Sequence, residues 1–181
     1  GYWQLLDPTN GYTAIHRDLL AELPLERIAK RYFFESDMLY QLNQARACIV
    51  DVPMRAQYGN ETSGLNPWRA MLPFLAGNLR NFLRRVVYGY FVRGFSLASL
   101  ELLLAIPLLA FGAVFGAWQW WLSAQSGEAA TAGTVMLAAL PLIIGTQLLM
   151  SWLNFDVAAE PRLPVHPRLA SRHSVETKTP A

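Results

Sequence analysis

At 181 residues, with a formal net charge of +2, the chain has the length of one ordinary domain and too small a basic excess for a nucleic-acid-binding face. A single cysteine, Cys48, excludes an internal disulfide and reads as a buried apolar filler. The apolar residues gather in the second half, which separates a mixed-polarity region from a membrane-like one.

The first six residues carry no helix start and run into the turn Asp7-Pro-Thr-Asn-Gly11, which alone signals only an Asx-type turn. Such a beginning reads as the middle of a protein, so the chain is expected to be the C-terminal part of a longer one. Tyr12–Ile15 is a short β-compatible run, and Arg17–Leu23 fits a helix that stops before Pro24. A second helix is predicted with Ser36 as its N-cap and Met38, Leu39, Leu42 and Ala45 on one stripe. Cys48–Pro53 then reads as a buried strand halted by proline. Two strands and two helices leave a sheet edge and a helix face uncovered, again pointing to missing upstream sequence.

The densest polar group is Phe34-Glu35-Ser36-Asp37. With Glu35 still in the loop, both carboxylates can point into one cleft, and a helix N-terminus favours their ionised form, which suits a general base. The plain alternative is helix capping by Ser36 and Asp37, with Glu35 solvated. Between the two acids Asp37 is the preferred base, because the first helical turn fixes its direction. Asp51–Arg55 and the following Tyr58–Gly64 form a loop with a guanidinium, hydroxyls and glycines. It can hold an anionic head group at a bilayer surface or serve as a linker with Arg55 paired to Asp51.

Residues 67–93 change character. Trp68, Leu72, Leu75, Leu79, Leu83, Val86 and Tyr90 recur at helical spacing, with Arg69, Arg80 and Arg84 beside them. This predicts an interfacial helix whose apolar face enters the acyl boundary while each arginine gains about 1 kcal/mol from anionic head groups. The alternative is an amphipathic helix packed on the soluble domain. Pro73 and Gly77 predict a kink.

Two apolar runs follow, about 97–121 and 131–153, with Glu101 the only ionisable side chain between Leu97 and Leu122 and none between Ala129 and Leu153. Each is long enough to cover about 35 Å, against a hydrocarbon core of about 30 Å. Trp118, Trp120, Trp121 and Trp152 sit where an aromatic belt belongs. Arginines flank the pair (Arg80, Arg84, Arg85, Arg93; Arg162, Arg168, Arg172) and none lies in the turn 123–128, which puts the turn outside and both termini in the cytoplasm. Glu101 lies near the cytoplasmic end, where an acid reaches the interface cheaply. The tail, 154–181, rich in Pro, Ser, Thr and Arg, is expected to be disordered. His16, His166 and His173 lack metal-ligand spacing, and no phosphate-cradling glycine motif is present.

In order, Asp7-Pro-Thr-Asn-Gly-Tyr12, Phe34-Glu-Ser-Asp-Met-Leu39, Asp51-Val-Pro53, Tyr58-Gly59 and Ser63, followed by two spans, resemble the C-terminal half of membrane-anchored family 2 glycosyltransferases. The nearest group is the dolichol-phosphate-mannose-synthase-like and other polyprenyl-phosphate glycosyltransferases of bacteria, over residues 1 to about 153. The resemblance implies an α/β fold over 1–66, part of a GT-A, Rossmann-like domain. It also implies a nucleotide-sugar donor, a lipid-linked acceptor and Mg²⁺ or Mn²⁺ bound by ligands upstream, with no metal ligand in this chain. It puts Glu35 and Asp37 at the acceptor-site motif, Asp7 at the turn lining the same cleft, and Arg55 and Ser63 in the loop meeting the lipid phosphate. Gly64 stands where the family often has Lys. The expectation is a transferase on the cytoplasmic face of a bacterial inner membrane, with a non-enzymatic membrane adaptor as the alternative. An adaptor would use the small α/β region to bind a partner protein.

Overall fold

The computed structural model describes residues 1–9, 11–30, 33–53, 67–167 and 169, with the side chains of 67–70 outside that description. Its helices are α1 (Arg17–Glu22), a 3₁₀ turn (Leu25–Arg27), α2 (Phe34–Gln44), α3 (Pro67–Val87), a π-turn (Tyr88–Val92), α4 (Leu97–Ser126) and α5 (Ala132–Ala158). Two compact units result, one of 1–87 with 160–181 and one of 88–159.

The α/β, Rossmann-like expectation for 1–66 is corrected: the described residues contain no strand, and the chain is mostly α-helical. Tyr12–Ile15 and Cys48–Pro53 have β-compatible sequences, but strand propensity needs a neighbouring strand to pair with. Side-chain bonds hold the second segment instead. The Tyr2 hydroxyl donates to the Ala47 carbonyl at 2.6 Å, and the Leu6 N–H donates to Asp51 Oδ2 at 2.9 Å. The core of this unit is Leu23, Ile28, Met38, Leu42 and Ala47, with Tyr2, Ile15, Leu19 and Ile49 packed around it.

α1 begins where its sequence predicts, with His16 Nδ1 accepting from the Asp18 N–H at 3.3 Å. α2 begins earlier than predicted. Phe33 is its N-cap and makes no side-chain capping bond, so Ser36 lies inside the first turn. α2 ends with Arg46 in the left-handed region, φ 58°, and the Ala47 N–H donating to the Leu42 carbonyl at 2.9 Å. That closure is the Schellman pattern, and it satisfies a carbonyl the helix end would otherwise orphan.

α4 and α5 are long and apolar enough to cross a membrane. They reach beyond the predicted ends, to Ser126 and Ala158. Their side chains are largely exposed, α5's almost entirely, which does not fit the core helices of a soluble protein. Gly127, at φ 71°, ends α4 in the left-handed conformation that glycine adopts without a Cβ clash. The two helices touch through glycines. A Cβ on Gly112 would stand 2.7 Å from Leu142 Cγ and 2.9 Å from the Ala138 carbonyl oxygen, and one on Gly145 would stand 2.9 Å from Leu109 Cγ. Small residues let helix backbones approach closely where no water drives association. Glu101 is satisfied within the hairpin, where the Ser151 hydroxyl donates to Oε1 at 2.7 Å.

At one end of this unit the Tyr90 hydroxyl donates to Asp156 Oδ1 at 2.7 Å, and the Ser99 hydroxyl donates to the Tyr90 carbonyl at 2.6 Å. Tyr90, Ser99, Trp152 and Asp156 are all buried there.

Overpacking the glycine contact has a defined cost. Gly112→Ala should lower hairpin stability by about 1–3 kcal/mol in reversible denaturation from mixed micelles. Gly89→Ala, whose added Cβ meets nothing within 4 Å, should be close to neutral.

Candidate functional site

Within the first unit a cavity of about 660 Å³ opens between the N-terminal turn, α2 and the 47–52 segment. Its floor is apolar, with Leu5, Leu19, Met38 and Leu42. Its polar lining includes Asp7, Tyr12, His16, Glu35, Asp51 and His166, with no Lys or Arg among the described lining residues. Asp7 is held by its own turn, Oδ1 accepting from the Thr9 N–H at 3.1 Å and the Thr9 hydroxyl at 2.9 Å. Asp51 is fixed by the Leu6 N–H. Residues Pro164–His166, after α5, complete the wall, and His166 stacks on His16 with ring centroids 4.4 Å apart.

Glu35 and Asp37 part company. Because α2 begins at Phe34, both lie on the helix, and residues two apart on a helix point about 200° apart. Glu35 lines the cavity. Asp37 faces the other way and is buried, with Oδ2 accepting from the Ala29 N–H at 2.7 Å and Oδ1 accepting from Asn81 Nδ2 of α3 at 2.9 Å. The shared cleft required Glu35 in a loop, and the earlier helix start removes that condition. Sequence spacing gave no sign of Asn81, which lies 44 residues from Asp37.

Arg55 and Ser63 lie outside the described residues, as does the Arg69 side chain. Arg80 and Arg84 are exposed on α3, next to exposed Leu72, Leu75, Leu79 and Leu83. α3 packs through a different face, with Asn81 on Asp37 and the Phe33 ring edge-on to Phe74 at 5.7 Å. The leucine stripe therefore has no protein cover among the described residues.

No three His, Cys, Asp or Glu side chains converge closely enough to hold a metal ion among the described residues. Comparison with protein-family models, curated proteins and solved structures finds no match for the chain.

A smaller hollow adjoins the cavity, lined by Tyr2, Cys48, Asp51, Glu160 and Arg162. Burial pushes the Tyr2 phenol well above its ordinary value, helped by negative charge at Cys48 and Glu160 and opposed by Arg46. A raised folded-state value means that this contribution to stability is full below the unfolded value of about 10 and is lost as pH rises from there toward the folded value. Thermal melts of the wild-type chain in detergent should therefore fall in midpoint above about pH 10, where Tyr2→Phe lacks this component. Near neutrality Tyr2→Phe should cost about 1 kcal/mol, since the Ala47 carbonyl loses its donor.

Proposed function

We propose that this chain works in glycosyl transfer at a membrane surface. It moves a sugar from a nucleotide-sugar donor to a polyprenyl phosphate or another membrane-proximal acceptor on the cytoplasmic face of a bacterial inner membrane. The observation carrying this reading is that one unit holds both a carboxylate-lined cavity with Glu35 on its wall and an amphipathic helix whose leucine stripe is left uncovered. The ordered motifs and the two apolar helices support it as well.

The cavity lining suits sugar chemistry. Asp7, Glu35 and Asp51 can accept hydrogen bonds from sugar hydroxyls, and Tyr12 offers an exposed aromatic face. Their charge repels any phosphate, so in this reading the cavity takes the sugar, while the donor diphosphate and an acceptor phosphate stay outside it. With a hydroxyl acceptor, the Glu35 carboxylate takes the proton as the oxygen bonds to the anomeric carbon. The bond from that carbon to the nucleoside diphosphate breaks in the same step, and the diphosphate leaves with the electron pair. With a phosphate acceptor the attacking oxygen is already anionic, and Glu35 serves to orient the sugar.

α3 supplies the membrane surface in this reading. At about 100° per residue, Leu72, Leu75, Leu79 and Leu83 share one face, Asn81 points roughly opposite, and Arg80 and Arg84 lie on the flank between. That order fits a helix lying at the acyl boundary with arginines at head-group level. The adaptor reading rests on a separate feature, the exposure of Leu6, Val50 and Val52 beside the cavity, as a partner protein would require.

Two measurements test the proposal. Glu35→Gln should lower kcat for transfer to a hydroxyl acceptor by on the order of 100-fold or more with KM little changed; unchanged transfer would remove Glu35 from the chemistry. Independently, in a Cys48→Ser background, a spin label at Leu79 should meet oxygen dissolved in the lipid, whereas one at Arg84 should meet an aqueous nickel chelate. Equal aqueous access at both positions would leave α3 off the bilayer.

A further inference from the structure

We infer that Asp37 and Asn81 are positioning residues that lock the Glu35-bearing helix to α3, so that Glu35 takes its place from the helix carrying the arginines. This deepens the glycosyl-transfer reading of the same site and rests on it. Two contacts side by side make the lock. Asn81 Nδ2 donates to Asp37 Oδ1 at 2.9 Å, with both residues buried. One turn earlier on α3, the Phe33 ring at the start of α2 fills the notch above Gly77, where an added Cβ would stand 2.5 Å from the Phe33 ring. The Ala29 N–H holds the second Asp37 oxygen, which ties the preceding loop into the same joint.

A base must reach its substrate. Asp37 does not line the cavity, and both of its oxygens are engaged by the chain. A buried carboxylate with two donors is well suited to fixing geometry, because losing either donor leaves charge uncompensated. Glu35 sits two residues away on the same helical turn, so a rotation or slide of α2 against α3 moves its carboxylate directly.

The pair can be exchanged without breaking its bonds. In Asp37→Asn the side-chain oxygen still accepts from the Ala29 N–H, and a half-turn of the Asn81 amide presents Oδ1 to the new Nδ2 donor. Asn81→Asp instead sets two carboxylates against each other in a buried site. The double variant Asp37→Asn with Asn81→Asp restores one donor and one acceptor.

Transfer kinetics of the intact membrane-bound enzyme and the alkylation rate of Cys48, the single cysteine and a cavity-wall residue, give separate readouts. Asp37→Asn should keep kcat within about threefold of wild type, whereas Asn81→Asp should lower it on the order of 100-fold with donor KM little changed. Cys48 alkylation should speed up in Asn81→Asp alone, and the double variant should recover both readouts. Loss of transfer in Asp37→Asn with unchanged Cys48 alkylation would make Asp37 the base and overturn the inference, as would a double variant that recovers neither readout. If Asn81→Asp fails to fold, recovery of a folded, active protein in the double variant supports the lock, and failure to recover refutes it. If Glu35→Gln leaves transfer unchanged, the glycosyl-transfer role of Glu35 fails separately, and Cys48 alkylation across the three variants alone decides for or against the lock.

Discussion

The angular order of side chains around α3 is the constraint on which the rest of the first unit depends. A helix has one circumference to divide, and α3 divides it among an exposed leucine stripe, a flank with Arg80 and Arg84, and a packing face with Gly77 and Asn81. Gly77 leaves room for an aromatic ring, and Asn81 supplies the donor that a buried carboxylate needs. Had the leucines been the packing face, Asp37 would have been left without this partner, at a cost of several kcal/mol for an uncompensated buried charge. The helix therefore packs through Gly77 and Asn81, with Phe74 beside them, and keeps Leu72, Leu75, Leu79 and Leu83 outward.

The hairpin obeys a different constraint. Helices so apolar and so little buried need an apolar surrounding, and within it every polar group must find its partner inside the protein. Three contacts follow that rule, while the buried Trp152 Nε1 has no hydrogen-bond partner among the described residues. Glu101 accepts from Ser151, Asp156 accepts from Tyr90, and the Tyr90 carbonyl accepts from Ser99. Pro107 and Pro141 lie inside α4 and α5 without ending them, as happens where tertiary packing outweighs local propensity.

Much of this was legible in the sequence where the signal is local. The spans show as long uncharged runs, α1 as a short run stopped by Pro24, and α3 as a leucine period. What escaped depends on distant partners. Cys48–Pro53 has a strand's composition, but a strand exists only in a ladder, and composition cannot report whether a neighbour is present. The start of α2 was displaced because Ser36 is a good capping residue, whereas the observed cap, Phe33, is placed by its contacts with Phe74 and Gly77 about 40 residues later.

That displacement of three residues decides where the two carboxylates point. With Ser36 as N-cap, Glu35 would be outside the helix and free to join Asp37 at one cleft. With Phe33 as N-cap, the helical repeat sends the two carboxylates in nearly opposite directions, one to an open cavity and one to a buried amide. An acid facing the cavity can exchange protons with a substrate, and an acid clamped by two internal donors can hold a helix in register. Two acids two residues apart thus acquire separate surroundings from the position of a single helix start, and at that start an aromatic ring sits over a glycine on α3.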